Sequence, residues 1–173
     1  LIARQAYHVG PSGSGLRMKL VSNLVLGLNR AALAESLILA RNLGLDLRAV
    51  LSVLRDSPAA SRVMETKGEK MIQGDYSPQA RLSQHHKDVR IMLGLAENAG
   101  FRLPLSETHE RILQAAEDAG LGGLDNSAIF AAYERLTRAA GLLQGEAAGD
   151  PGGETSRVSA TDSETASPDP PPS

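Results

Sequence analysis

Residues 10–43 read GPSGSGLRMKLVSNLVLGLNRAALAESLILARNL. A glycine cluster runs straight into a long apolar stretch, with one lysine set just inside it. From Leu16 to Leu43 the apolar positions recur at helical spacing. Leu20, Leu24 and Leu28 follow one stripe, Val21, Val25 and Ala32 lie beside it, and Leu37, Ile38 and Leu39 are apolar all round. The spacing predicts one helix of about 40 Å, apolar on most faces and therefore buried at the centre of a domain. In a chain this small, part of that surface is expected to be covered by a second subunit.

Helical signals continue downstream. Gly44 stops the long helix, and Asp46 can cap the next one, which ends at Ser57-Pro58. Further helices are expected over Ala59–Ile72, over Leu82–Asn98 with Gly100 as its stop, and from Pro104 to Ala119. Asp125 or Asn126 can cap a last helix over SAIFAAYERLTRAA. Only Tyr7-His8-Val9 looks strand-like. The expected fold is all-α, a helical bundle-like domain over residues 10–144.

The composition agrees. The chain has 173 residues, 42% hydrophobic but only 3% aromatic, without Trp or Cys. Its core must be Leu, Ala, Val, Ile and Met, which suits helices better than sheets; Met64, Met71 and Met92 are expected as core fillers. Without Cys there is no disulfide scaffold, thiolate metal site or cysteine nucleophile, and a cytoplasmic setting is expected. From Gly145 onward six acidic residues face Arg157 alone, and five of the nine prolines fall there. Residues 145–173 are expected to be a disordered acidic tail. Their net −5 leaves +3 of the total −2 for residues 1–144, too little for a nucleic-acid footprint. The long helix is interrupted by Asn29, Arg30 and Glu35, so no membrane span is expected. The chain opens on Leu1 in mid-pattern, with no signal peptide. It is expected to be the C-terminal part of something longer.

Two phosphate-binding readings of the glycines fail on named residues. A dinucleotide fingerprint has Gly13 and Gly15 but Met18 in the third place, and no βαβ pattern follows. A Walker loop has Gly10 and Gly15 at the right spacing, but Leu16 stands where its lysine belongs. What remains is a flexible joint opening a helix, with Lys19 and Asn23 four residues apart on one face. A cation and an amide so placed can hold a hydroxyl or carbonyl between them. The alternative is a surface lysine and an ordinary helical asparagine. His85, His86 and His109 make a poor zinc set, since neighbouring helical residues point about 100° apart and no suitably spaced carboxylate joins them. No metal site is expected, and without a G-x-S-x-G elbow hydrolase chemistry has no anchor.

Residues 10–23 resemble the joint between the two domains of the 3-hydroxyisobutyrate dehydrogenase (β-hydroxyacid dehydrogenase) family, relatives of 6-phosphogluconate dehydrogenase. The match includes Gly10, Gly13, Gly15, Lys19 and Asn23. HHKDV at 85–89 is similar to the family's Lys-Asp motif, and LDNSAI at 124–129 to the start of its last helix. The three motifs stand in family order over residues 8–140. Ser22 stands where many members have a first asparagine, and Ala80 where an aromatic is common.

The resemblance implies an NAD(P)-dependent oxidoreductase acting on a small β-hydroxyacid. Lys19 would be the catalytic lysine, moving the proton of the substrate hydroxyl, and Asn23 would orient the substrate. Gly13 and Gly15 would let backbone amides reach its carboxylate. Lys87 would face the NAD or NADP cofactor, with Asp88 supporting the site. The domain would be the substrate and dimerisation half, with residues 1–9 closing a nucleotide-binding half that precedes Leu1, and the isolated chain would be inactive. A rival expectation is a non-catalytic helical interaction module, with the glycines as hinge and the long helix as dimer seam.

Overall fold

The computed structural model describes residues 7–139, and all of its regular elements are helical. They are α1 (Ser14–Asn42), α2 (Leu47–Arg55), α3 (Arg62–Gln73), α4 (Leu82–Asn98), α5 (Pro104–Asp118) and α6 (Ile129–Ala139), the last preceded by a 3₁₀ turn over Asn126–Ala128. The α1 and α4 bounds agree with the periodicity to within two residues, and Gly44 and Gly100 follow their ends as expected. Asp46 caps α2, its Oδ1 accepting from Ala49 N at 2.8 Å. α3 starts at Arg62 rather than Ala59, because Ser57 gathers the intervening backbone into a turn. Its carbonyl accepts from Ala60 N at 3.0 Å and its hydroxyl from Ala59 N at 3.2 Å. Tyr7–Val9 is not a strand; an extended stretch needs a neighbouring strand to pair with, and no strand exists among the described residues. The tail expected over 145–173 lies outside them.

The five shorter helices all touch α1, but they gather on its C-terminal part. Leu33, Ala34 and Leu37 of α1 form the centre of the core. Leu51, Val63, Met71, Leu82, Val89, Leu113, Ile129 and Phe130 close around them, one or two from each remaining helix. Met64, Met71 and Met92 are buried, as core fillers should be. Arg41, near the end of α1, lies 4.9 Å from the Phe130 ring centre and pairs with Glu134, which docks α6.

The N-terminal half of α1 is left uncovered within this chain. Burial in α1 begins only at Gly27, and Leu16, Met18, Val21, Val25 and Leu26 all stand exposed. By length and composition α1 would pass for a membrane span, yet its second half is the core of this domain. Its first half projects past the other helices, which are too few and too short to cover it.

One buried charge ties the periphery together. Asp125 is wholly buried, and its carboxylate accepts from Lys67 Nζ of α3 at 2.9 and 3.0 Å. It also accepts from the amides of Gln79, Ala80 and Ser127 and from the Ser127 hydroxyl. Burial alone would raise the carboxyl's pKa, but Lys67 and these amides outweigh it and hold the group well below the ordinary carboxylate range. The last-helix cap read from LDNSAI is therefore also the anchor of α3 and of the segment before α4. Asp125→Asn leaves the Lys67 ammonium buried without a counter-charge, and should cost on the order of 3–5 kcal/mol of unfolding free energy. Urea unfolding at pH 7 measures it; a loss below about 1 kcal/mol would mean the pair behaves as a surface bridge.

Candidate active site

The glycine joint turns the chain into α1. Gly13 takes φ +89° at the N-cap position, a left-handed conformation that favours glycine, and Ser14 N donates to Pro11 O at 3.0 Å. A Cβ at Gly13 or Gly15 would meet nothing within 4 Å. Internal packing therefore does not require either glycine to lack a side chain, and this end of the helix is open.

Lys19 follows in the second turn of α1. It is exposed and forms no ion pair or side-chain hydrogen bond among the described residues. Asn23, one turn later, is half-buried against α4, where its Nδ2 donates to Asp88 Oδ2 at 3.0 Å. That bond leaves the Asn23 carbonyl oxygen without a partner among the described residues. The structure thus joins two residues that lie 65 positions apart. Lys87, beside Asp88 on α4, is exposed and also forms no ion pair among the described residues. Ser22 turns back on its own helix, donating to Lys19 O at 2.9 Å.

Immediately below the Asn23–Asp88 bond lies a group that sequence spacing did not bring together. His85 of α4 and His109 of α5 meet with their Nε2 atoms 3.1 Å apart. Both rings are buried, and Gly27 of α1 backs onto them. The one sequence signal was Gly27 itself, a glycine in the middle of a helix that would otherwise favour alanine. Arg30, one turn further along α1, is only 2% exposed, and its Nη2 has no hydrogen-bond partner among the described residues. Burial lowers its pKa to about 10, partly offset by Asp125, so it remains a cation at neutral pH. His86 points elsewhere, as its neighbour position requires. Glu110 and Glu117 of α5 approach its two ring nitrogens from different sides, at 3.2 and 3.1 Å.

With the open helix end, the free lysine and the Asn–Asp contact in place, comparison with known proteins is informative. Residues 13–133 match the family model described as NAD-binding of NADP-dependent 3-hydroxyisobutyrate dehydrogenase. The chain belongs to this family. Within it, the chain is 34% identical over 138 residues to 2-(hydroxymethyl)glutarate dehydrogenase of Eubacterium barkeri, covering 79% of this chain and 46% of that protein. It is 32% identical over 129 residues to the cytokine-like nuclear factor N-PAC of Aedes aegypti, covering 75% of this chain and 23% of that one. A solved 3-hydroxyisobutyrate dehydrogenase from Salmonella typhimurium superposes with a TM-score of 0.72 at 28% identity, over 75% of this chain and 46% of its own. The chain therefore spans about half the length of the dehydrogenases it matches, and its all-helical fold is that of their C-terminal domain.

The histidine pair predicts a loss of stability in acid. Burial, then the charge of Arg30, push His85 down to about 3 and His109 to about 4 from the ordinary 6.5. Below about pH 6.5 the unfolded chain binds protons that the folded one refuses, so stability is full above that value and falls as pH drops. Asp125, with its lowered value, contributes only further down. Urea unfolding between pH 7 and pH 4.5 should therefore show declining stability, and His85→Gln combined with His109→Gln should flatten the decline. An unchanged slope in that double variant would place the titrating groups elsewhere.

Proposed function

We propose that this chain is the substrate-facing and dimer-forming part of an NAD(P)-dependent dehydrogenase, cytoplasmic, acting on the hydroxyl of a small β-hydroxyacid. The observation that carries this reading is Lys19, free at the open end of α1 and one turn from an asparagine already held by Asp88. The donor set suits an anionic hydroxyacid and a dinucleotide. It offers two exposed cations, an oriented amide, and a helix N-terminus whose glycines leave room for a carboxylate. A bound nicotinamide would accept or return the hydride. Lys19 would hold and move the proton of the reacting hydroxyl. Asn23, oriented by Asp88, would bind beside it, the amides at Gly13 and Gly15 would receive the carboxylate, and Lys87 would face the cofactor.

A dinucleotide cradle would come from a separate nucleotide-binding domain joined ahead of the glycine joint. That domain and a second copy of this one would together cover the exposed apolar face of Leu16, Met18, Val21 and Val25. A second reading, a non-catalytic helical interaction module, is favoured by the cytokine-like nuclear factor among the relatives.

The two readings separate on Lys19. In a protein carrying the nucleotide-binding domain, Lys19→Ala should lower kcat by about 10²–10⁴-fold with cofactor affinity nearly unchanged. Asn23→Ala should act less and partly through KM, since an orienting amide also binds the ground state. Near-normal kcat in Lys19→Ala would sink the catalytic reading and leave the interaction module. Sedimentation at micromolar concentration should find a dimer; a stable, well-folded monomer would remove the role assigned to α1 as a seam.

A further inference from the structure

Three helices meet at one point that the proposed chemistry does not use. A Cβ on Gly27 would stand 2.3 Å from His85 Nε2 and 3.2 Å from His109 Nε2. The edge of the α4 imidazole therefore rests on bare α1 backbone, and no other residue fits at position 27 without moving it. The two rings lie 54° apart with centres 5.3 Å apart, so the 3.1 Å contact is between ring nitrogens and not a stack. At that distance a single proton must lie between them. Two N–H groups would collide and two lone pairs would repel. His85 and His109 are 8% and 3% exposed, so water offers neither nitrogen an alternative.

Asn23 and Asp88 occupy the adjoining rung of the same seam. Gly27 is four residues after Asn23 on α1, and His85 is three before Asp88 on α4, so each pair stacks directly on the other. Helices are stiff over one turn, and the separation of a packed pair follows the side chains at its contact. A change of about 1 Å at the Gly27–His85 rung would carry the 3.0 Å bond from Asn23 to Asp88 beyond hydrogen-bond range.

We propose that His85 and His109 are positioning residues for the candidate site: their proton-sharing contact, seated on Gly27, sets the α1–α4 separation at which the Asn23 amide reaches Asp88. The contact to α5 is what makes the rung directional. An apolar side chain at 109 could fill the space but would leave the His85 ring free to turn about its χ angles. The consequence for catalysis rests on the functional reading above, whereas the geometric tie does not.

The geometry is tested by NMR on the full 173-residue chain at pH 7. In the wild type one of the two imidazoles should carry its proton on Nε2 and the other should not, with a nitrogen–nitrogen scalar coupling across the bond. Two rings protonated alike on Nε2, or no coupling, would overturn the shared proton. The Asn23 side-chain amide, assigned by its loss in Asn23→Ala, should exchange slowly with solvent. His109→Leu should speed that exchange about tenfold or more, the size of a lost hydrogen bond. His109→Gln, whose amide can donate to or accept from His85, should restore most of it. An unmoved Asn23 signal in folded His109→Leu would overturn the proposal. If that variant fails to fold, Gly27→Ala, which wedges the same rung by one methyl, gives the reading with the same two outcomes.

In the enzyme with its nucleotide-binding domain, His109→Leu should lower kcat/KM about 10- to 100-fold, as a misplacement of about 1 Å does, and have little further effect once Asn23 is already Ala. Independent, additive losses would mean that the histidines act on stability and not through Asn23. Normal turnover in Lys19→Ala would instead overturn the functional reading, and would leave the amide result standing.

Discussion

A carboxylate buried without water must find all its partners inside the protein, and Asp125 draws them from three directions. Lys67 comes from the middle of α3, the amides of Gln79 and Ala80 from the segment that leads into α4, and Ser127 from the 3₁₀ turn that precedes α6. Elements that touch only through apolar contacts could slide past one another. This set of charge-assisted bonds has one arrangement in which every partner is satisfied. Leu82 N and Ser83 N add bonds to Leu124 O and Gly122 O, at 2.9 and 3.0 Å, on the same line. The start of α4 is thereby placed, and with it the face carrying His85 and Asp88.

α1 then has two different halves because only one of them has neighbours. Its C-terminal half is enclosed by the other five helices, and its N-terminal half, equally apolar, is left in solvent. This exposed apolar stripe is the surface that the proposed function assigns to a second domain and a second copy. The proposed site lies where the two halves meet. Asn23 and Gly27 meet Asp88 and His85 of α4, while Lys19 and Gly13 stand exposed. That division suits a site completed by a second domain: one wall is built, and the other is open.

The seam between α1 and α4 combines two kinds of contact that depend on each other. The Asn23–Asp88 bond is polar and half-buried, while the Gly27–His85–His109 junction is packed and almost dry. Burial and the nearby Arg30 keep both imidazoles neutral, so a single proton between them is the stable condition across the neutral range. A hydrogen-bonded ring pair fills volume as an apolar contact would, yet also resists rotation. That combination gives the adjoining Asn–Asp contact a defined spacing.

The sequence alone determined the helices, because their signals are local. Apolar spacing, the Asp46 and Asp125 caps and the stops at Gly44 and Gly100 each act within a turn or two, and α1 and α4 came out within two residues of their structural bounds. The family was legible as well, through the order of its motifs along the chain. Tertiary structure decided what lies between helices. Spacing could show that His85 and His86 point apart, but not that His85 meets a histidine 24 residues away over a glycine of α1. Nor could it show that Asp88 holds Asn23, or that half of the long helix stays uncovered. Those outcomes depend on which faces reach one another once all six helices compete for one core, and no residue carries that information in its own neighbourhood.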